Sequence, residues 1–372
     1  MKVLFLGSQN IIGNINNGGM QCSKRNYELL KSVVGEENVY SALVYNSKEI
    51  AYHNRFFKRN ENNVQSLIAS FAMCRLYGVS EEKKIISYIN EISPDILFVD
   101  TSSFGKIVKK IDAKIKTVVF LHNVESDYAW NRVLHGGLQF LPVYVASFYN
   151  EKIGVKKADK VICLNRRDAE RVEKKYGRKV THYLPISFED EFETEKKRRG
   201  NRKELLFVGS NFPPNLDGVR WFVEEVMSQL SDFKLYIVGK DFENVRDELE
   251  RDNVQVIGTV ENVKEYYNRF SAIVMPILYG DGMKVKTAEA MMYGMDLFAT
   301  DEALEGYEVE GIAGIHRCNA KEEFVNAIRA YEENEQPKKW NNSVRQLFLE
   351  KYDTERQKAD MNKFLEGLFH EE

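Results

Sequence analysis

The sequence predicts an α/β protein of two doubly wound domains, each a parallel sheet flanked by helices, and three observations carry that expectation. Length is the first: 372 residues are more than one hydrophobic core ordinarily organises and suit two. The second is a rhythm of short apolar, β-rich runs, each passing through a turn into a stretch with helical spacing, as in βαβ units. The third is Glu189–Lys203 (EDEFETEKKRRGNRK), which holds hardly any apolar residue and reads as a boundary. The expected division is a first domain 1–188, a linker 189–203, a second domain 204–350 and a C-terminal helix 351–372.

Composition narrows the class. Hydrophobic residues make up 43% and charged residues 29%, the balance of a soluble globular protein. A net charge of −3 gives no reason to expect nucleic acid as a partner. Cys22, Cys74, Cys163 and Cys318 are far apart and form no C-x-x-C pair, which argues against a disulfide framework and a zinc site alike. The apolar start MKVLFL breaks at Gly7-Ser8-Gln9-Asn10, short of a signal peptide, and no run reaches membrane-spanning length. The expectation is a cytoplasmic chain, with peripheral membrane contact as an additional one. Lys196-Lys197-Arg198-Arg199 and Lys156-Lys157 are local basic clusters, and the first is read as a solvated linker in preference to a surface for anionic membrane.

Taken in order, Lys2–Leu6 is a first strand ending at Gly7, followed by a polar loop, by Gly18-Gly19 and by a helical pattern from Met20 to Val33. Strand, ligand loop and helix are the entry to a doubly wound sheet, although these glycines do not fit G-x-G-x-x-G. Residues 53–85 read mostly as core helices; their aromatic and basic mixture also suits contact with a lipid-linked acceptor. Ile96–Asp100 is a buried strand, Phe104–Ile111 a helix and Thr117–Leu121 the next strand, ending in His122. Ligands in open α/β sheets sit at the carboxyl ends of strands, so His122 is the histidine singled out. Tyr144–Lys157 reads as a helix, Ala158–Asn165 as a strand and the following stretch to Tyr176 as an amphipathic helix.

In the second half, Leu205–Ser210, Leu235–Gly239, Val254–Gly258 and Asp296–Thr300 continue the strands. Asp301–Tyr307 reads as a polar surface loop, with closure over a cleft as the other possibility. From Lys321 the chain reads as helical to its end, with Trp340, Leu347, Phe348, Tyr352 and Phe364 as apolar anchors.

The stretch Met275–Gly294 (MPILYGDGMKVKTAEAMMYG) carries the chemistry. An apolar strand, Ala272–Ile277, enters a turn at Gly280-Asp281-Gly282 and leaves it as a helix through Val285, Ala288, Glu289 and Met292. Such a joint aims the amides of the turn and the first helical turn at one point, with the positive end of the helix dipole behind them. An anion belongs there, with Lys284 and Lys286 beside it, while Glu289 further along can accept hydrogen bonds from sugar hydroxyls. A charged diphosphate flanked by polyhydroxyl rings, the outline of a nucleotide sugar, satisfies both ends.

This stretch resembles the signature of retaining GT-B glycosyltransferases, especially glycosyltransferase family 4, in which two acidic residues separated by seven others face the donor. Asp281 and Glu289 stand at those positions, with aspartate where glutamate is usual at the first and lysines where typical members have glycine and proline. The resemblance implies two Rossmann-like domains facing across a cleft, a last helix crossing back to the N-terminal domain, and no cofactor or metal beyond the donor. It also implies that His122 contacts the donor sugar and that Gly18 and Gly19 line the cleft. Members of the family often clamp the diphosphate with a basic pair; Ser210 and Asn215 occupy those places here, with Arg220 near and Lys284 and Lys286 as replacements. The amides of Gly282 and Met283 are expected at the diphosphate, Val260 beside the base and Glu289 at the ribose. The implied reaction is metal-independent transfer, with retention, of a sugar from a nucleoside diphosphate sugar, UDP by default, to a saccharide or lipid-linked acceptor in bacterial polysaccharide assembly. A non-catalytic GT-B subunit that binds a glycan or nucleotide sugar is the alternative, favoured by the altered clamp; a nucleotide-sugar epimerase would need further cleft carboxylates that the sequence does not show.

Overall fold

The computed structural model describes residues 1–9, 11, 18–46, 54–74, 76–180, 182–197, 200–280, 282–333 and 339–369. The expectations placed on Asp281, on Arg198 and Arg199 and on most of the loop 10–17 lie outside the described residues. The chain divides into two compact units, Met1–Pro185 with Gln357–Glu372, and Ile186–Arg356.

The first unit runs β1 (Val3–Gly7), α1 (Gly18–Val34), β2 (Val39–Val44), β3 (Asn54–Phe57), α2 (Asn63–Phe71), α3 (Val79–Ile92) and β4 (Ile96–Val99). It continues through α4 (Gly105–Val108), β5 (Lys116–Leu121), α5 (Glu125–Gly136), α6 (Leu141–Lys157), β6 (Lys160–Cys163), α7 (Arg166–Tyr176) and β7 (His182–Tyr183). The strands form one sheet in the order β3-β2-β1-β4-β5-β6-β7, every pair parallel. Parallel strands are covered on both faces, which is why β1 and β4 are unbroken apolar runs, buried at every position, with no alternation. Their side chains join those of β5 in a core that includes Leu4, Leu97, Val99, Val119 and Leu121.

The second unit runs β8 (Glu204–Val208), α8 (Pro213–Trp221), β9 (Lys234–Val238), α9 (Arg246–Leu249), β10 (Val254–Gly258), α10 (Lys264–Arg269), β11 (Ala272–Met275) and α11 (Val285–Met292). It ends with β12 (Asp296–Ala299), β13 (Ile315–Arg317), α12 (Lys321–Glu333), α13 (Asn342–Lys351) and the start of α14 (Thr354–Gly367), whose residues from Gln357 onward belong to the first unit. Its sheet is also parallel, in the order β10-β9-β8-β11-β12-β13. Leu205, Phe207, Val274 and Phe298 stand at the centre of its core. Both sheets are Rossmann-like, and each reverses its strand order at one point: between β1 and β4 in the first unit, and between β8 and β11 in the second. Ligands of such sheets bind beyond the strand carboxyl ends at that reversal.

Several expectations are corrected. Within residues 53–85, Asn54–Phe57 is an edge strand paired with β2, where core helices were expected. The helix expected over Phe104–Ile111 is a short 3-10 turn, Ser102–Phe104, and the four-residue α4. The close approach of α6 explains its position, since a Cβ on Gly105 would stand 1.8 Å from the Asn150 carbonyl oxygen. The linker 189–203 is part of the second unit: Phe192 packs edge-on against Trp340 and Tyr293. Lys197, read as solvated, is 1% exposed and donates to the carbonyls of Tyr267 (2.6 Å) and Phe270 (2.7 Å) at the end of α10. Burial lowers its pKa to about 7. After Lys321 the expectation of helix holds, the described residues forming α12, α13 and α14.

Candidate functional site

In the second unit the reversal point brings the loop after β8 beside the loop after β11. Helix α8 packs tightly against the second loop because it carries Gly218, where a Cβ would come within 1.8 Å of the Pro276 carbonyl oxygen. Tyr279 on the loop donates to Asp217 of α8 at 2.6 Å, and this bond raises the Tyr279 pKa. Gly282 has φ +71° with open space around it, so the turn requires the left-handed backbone that glycine adopts without strain.

Helix α11 starts after Lys284, and no side chain caps it. Its first amides, like any helix start, lack intrahelical partners, and the N–H groups of Gly282 and Met283 make no hydrogen bond among the described residues. These groups are what an anion would cap.

The lysines are arranged differently from the expectation. Lys284 Nζ lies 2.6 Å from Glu302 Oε1, 3.9 Å from Glu305 Oε2 and 2.8 Å from the Gly282 carbonyl oxygen, so its charge is already met within the protein. Lys286 Nζ pairs with Glu289 Oε2 at 2.7 Å, and the buried Tyr267 hydroxyl donates to the same oxygen at 2.9 Å. Burial, then the Glu289 charge, pushes the Tyr267 phenol well above its ordinary pKa and keeps it a donor. Glu289 is thus held by two partners at one oxygen, at the wall of a pocket of about 300 Å³ lined also by Phe188, Val263, Tyr267, Met292 and Tyr293. Val260 lies in the loop between β10 and α10, three residues before Val263.

Ser210 and Asn215 are tied to one another, the Asn215 amide donating to the Ser210 carbonyl oxygen at 2.9 Å. Arg220 is committed to Glu248 and to Asp217 (3.2 Å), and it supplies no clamp. The loop 301–307 is not a polar surface loop. Ala303, Leu304 and Tyr307 are buried, Tyr307 donates to the Lys284 carbonyl oxygen at 2.7 Å and Thr287 to that of Ala303 at 2.8 Å. Glu302, Glu305 and Tyr267 are therefore residues of this site that sequence reasoning missed. Their signal was position: Glu302 and Glu305 follow a strand end, as His122 does.

In the first unit the reversal point holds a buried cluster. Asp100 follows β4 and His122 follows β5, and because these strands are neighbours the two side chains meet: His122 Nε2 stands 3.1 Å from Asp100 Oδ2 and 2.9 Å from the Asp100 carbonyl oxygen. Helix α1 brings Ser23 and Asn26, one turn apart on its buried face, to the same carboxylate; Ser23 donates to Oδ2 and Asn26 to Oδ1 at 2.7 Å. Burial opposes a charge on His122, but the Asp100 carboxylate outweighs it and raises the histidine well above its ordinary pKa. Burial likewise raises the Cys22 thiol, yet Arg25, 3.3 Å away, and His122 outweigh it and leave the thiol below its usual value. Asp100, Cys22, Ser23 and Asn26 were not foreseen. Gly18 and Gly19 are the first residues of α1, one turn before Cys22 and Ser23.

Among the described residues no group of three or more His, Cys, Asp or Glu side chains is arranged to hold a metal ion.

Residues 202–334 match the family described as "Glycosyl transferases group 1", a segment that contains the reversal point, α11 and both lysine pairs. A curated relative, an uncharacterized 44.6 kDa protein in the cps region of Klebsiella pneumoniae, is 25% identical over 215 residues, 53% of this chain and 54% of the relative; the chain spans about half the length of the relative it matches. The structure of Anabaena Alr3699/HepE in complex with UDP superimposes with a TM-score of 0.72 at 12% identity, covering 99% of this chain and 100% of that one. WaaG, a glycosyltransferase involved in lipopolysaccharide biosynthesis, superimposes at 0.66 and 15% identity, covering 98% and 100%. The likeness to these structures is one of fold, two Rossmann-like domains of GT-B type. Residues 202–334, which make up most of the second unit, carry a glycosyl transferases group 1 domain.

Proposed function

We propose that the chain transfers a sugar, with retention and without a metal, from a nucleoside diphosphate sugar to a saccharide or lipid-linked saccharide in bacterial polysaccharide assembly. It works in the cytoplasm at the inner face of the membrane. The observation that carries this reading is the uncapped start of α11 with the open amides of Gly282 and Met283, at the sheet reversal and on the same helix as the pocket-facing Glu289. UDP is favoured as the nucleotide because HepE, of like fold, binds it; the polysaccharide setting is favoured by the cps region of the Klebsiella relative.

The chemistry must stabilise a departing diphosphate and an oxocarbenium-like sugar. The preorganised amides and helix dipole answer the first need, because their attraction strengthens as the leaving group gains charge. A bound diphosphate competes with Glu302 for Lys284, adding a cation at the cost of one ion pair. Glu289, fixed by Tyr267 and Lys286, has its second oxygen for the ribose hydroxyls. In the first unit His122, kept protonated by Asp100, donates to a sugar hydroxyl, with Gly18 and Gly19 at the same end of the sheet. Asp281 takes the sugar-orienting role that the family pattern suggests, Val260 lies beside the base and Ser210 and Asn215 offer neutral donors to the phosphates.

One specific observation favours a second reading, a binding subunit without catalysis: Lys284 and Arg220 are both neutralised by carboxylates. Release of UDP, GDP or dTDP from a panel of nucleotide sugars by the purified protein, without added metal, decides between them. Hydrolysis of one donor, reduced in Glu289→Gln and Lys284→Ala, supports the transferase; absence of hydrolysis with every donor, even with acceptors present, sinks it.

A further inference from the structure

The first unit carries an apolar surface that no described segment covers. Helix α2 turns Val64, Ile68 and Phe71 outward at helical spacing, with Phe71 72% exposed, and Asn63–Phe71 contains no charged residue. On the neighbouring hairpin Trp130, Leu134, Leu138, Leu141 and Val145 are exposed, Leu138 at 78%, and residues 133–150 include no Lys, Arg, Asp or Glu. Both α2 and α5 pack on α6, so the two sets are neighbours. Between them lies a groove of about 480 Å³ whose lining includes Arg59, Leu67, Arg132, Phe140 and Val143. Scattered apolar residues are normal on a surface; eight exposed large apolar side chains gathered around one groove are not.

We propose that this collar docks the chain on an anionic lipid bilayer, with lipid phosphate taken by Arg132 of the groove and the collar's side chains entering the acyl boundary. Charge argues for that occupant. Arg132 lies over the Phe140 ring at 4.7 Å and has no carboxylate partner among the described residues, and Lys152 lies over Phe148 at 5.8 Å. Lys106, bonded to the Ala72 carbonyl oxygen at 2.8 Å, extends the basic edge past α2, although it also pairs with Glu82. Of the carboxylates nearby, Asp127 is taken by Lys175 at 2.5 Å, while Glu61 lines the groove. A second copy on the same face would set Arg132 against itself, since a two-fold contact joins a patch to its own image; anionic lipid supplies the counter-charge that Arg132 lacks among the described residues. Trp130 and Tyr144 pack at 5.0 Å, and rings of this kind favour the boundary between hydrocarbon and water. No helix of the described residues is long and apolar enough to cross a membrane, so the contact is one of lying on the surface.

The inference rests on the reading of membrane work above for its setting only, and it is tested without sugar transfer. The purified chain is sedimented with vesicles of phosphatidylcholine alone and of phosphatidylcholine mixed with phosphatidylglycerol. Binding is expected to the mixed vesicles and to be lost, by at least about a hundredfold, in Phe71→Ser/Leu138→Ser. Arg132→Gln weakens it about fivefold and lessens its salt dependence. Failure to bind anionic vesicles, or equal binding by the double variant, overturns the proposal. A dimer in solution that Leu138→Ser splits also overturns it, by assigning the face to a second copy. All three substitutions fall on accessible side chains, and circular dichroism confirms the fold. Donor hydrolysis without vesicle binding would sink the docking face and leave the transferase standing; vesicle binding without hydrolysis would do the reverse.

Discussion

The two sheet reversals differ in how their charged groups were assembled. In the second unit the amides, both lysines and Glu289 come from one continuous stretch, 275–294, and the tertiary partners, Glu302 and Tyr267, adjust charges that the stretch already possesses. In the first unit the cluster comes from three places, Cys22, Ser23 and Asn26 on α1, Asp100 after β4 and His122 after β5, and none of them means much alone. The contrast teaches that a contiguous stretch shows which groups meet but hides their charge state, whereas a dispersed cluster hides both until neighbouring strands are known.

The largest expected effect breaks the dispersed site. Asp100→Ala leaves His122, Ser23 and Asn26 without their common acceptor and removes one half of a buried charged pair, so a loss of about 3–5 kcal/mol in denaturant unfolding is expected. The isosteric Asp100→Asn tests charge alone. The folded-state pKa of His122 stands above its unfolded value, so the stabilisation from this pair is complete below the ordinary histidine range and fades as pH rises through the raised folded value. In Asp100→Asn that raising cause is gone, and donor turnover should fall at a lower pH than in the wild type. An unchanged pH profile would remove His122 from the mechanism.

Glu289→Gln comes next. It loses the carboxylate proposed to accept from the ribose and unpairs Lys286, and kcat/KM for the donor should drop by a factor of about 10–100, equivalent to roughly 1.5–3 kcal/mol. A comparable drop in melting stability with little change in kcat/KM would make the residue structural. Glu302→Gln works in the opposite direction: it removes the nearest carboxylate from Lys284, and donor affinity measured by calorimetry should rise about fivefold, with a steeper dependence on salt. Weaker binding in that variant would show that Glu302 holds the lysine in its working position.

Gly282→Ala should cost about 1 kcal/mol in thermal unfolding, because open space surrounds the new methyl and only the positive φ opposes it. A further effect, read in the pH dependence of stability, concerns Lys197. Its pKa is lowered to about 7 in the fold, so the unfolded chain binds the proton more tightly between about pH 7 and its ordinary value of 10.5. Stability should therefore rise with pH across that window, and the rise should be absent in Lys197→Met.

Much of the architecture was legible in the chain. The runs Val3–Gly7, Ile96–Val99 and Leu205–Val208 are so continuously apolar that only a parallel sheet covered on both faces accommodates them. The errors fell where local pattern and tertiary packing disagree. Asn54–Phe57 is short, with Arg55 exposed, and it becomes a strand because β2 offers an open edge. Lys197 sits in a run of charges that reads as solvated, yet two carbonyls at the end of α10 draw its ammonium inside. Glu302 and Leu304 alternate along a loop whose apolar members turn inward, which composition alone does not reveal.

What the sequence determined by itself was the joint of strand, glycine turn and helix at 272–292, because the geometry that aims amides at an anion depends on neighbours within a few residues. Only the tertiary structure decided which charges remain available in each unit and which are spent: Lys284 on Glu302 and Lys286 on Glu289 in the second, and His122 on Asp100 in the first. The reason is that a side chain's charge state is set by whatever lies within a few ångströms, and in a parallel sheet those neighbours come from strand order, which brings residues 22 positions apart in the chain within 3.1 Å.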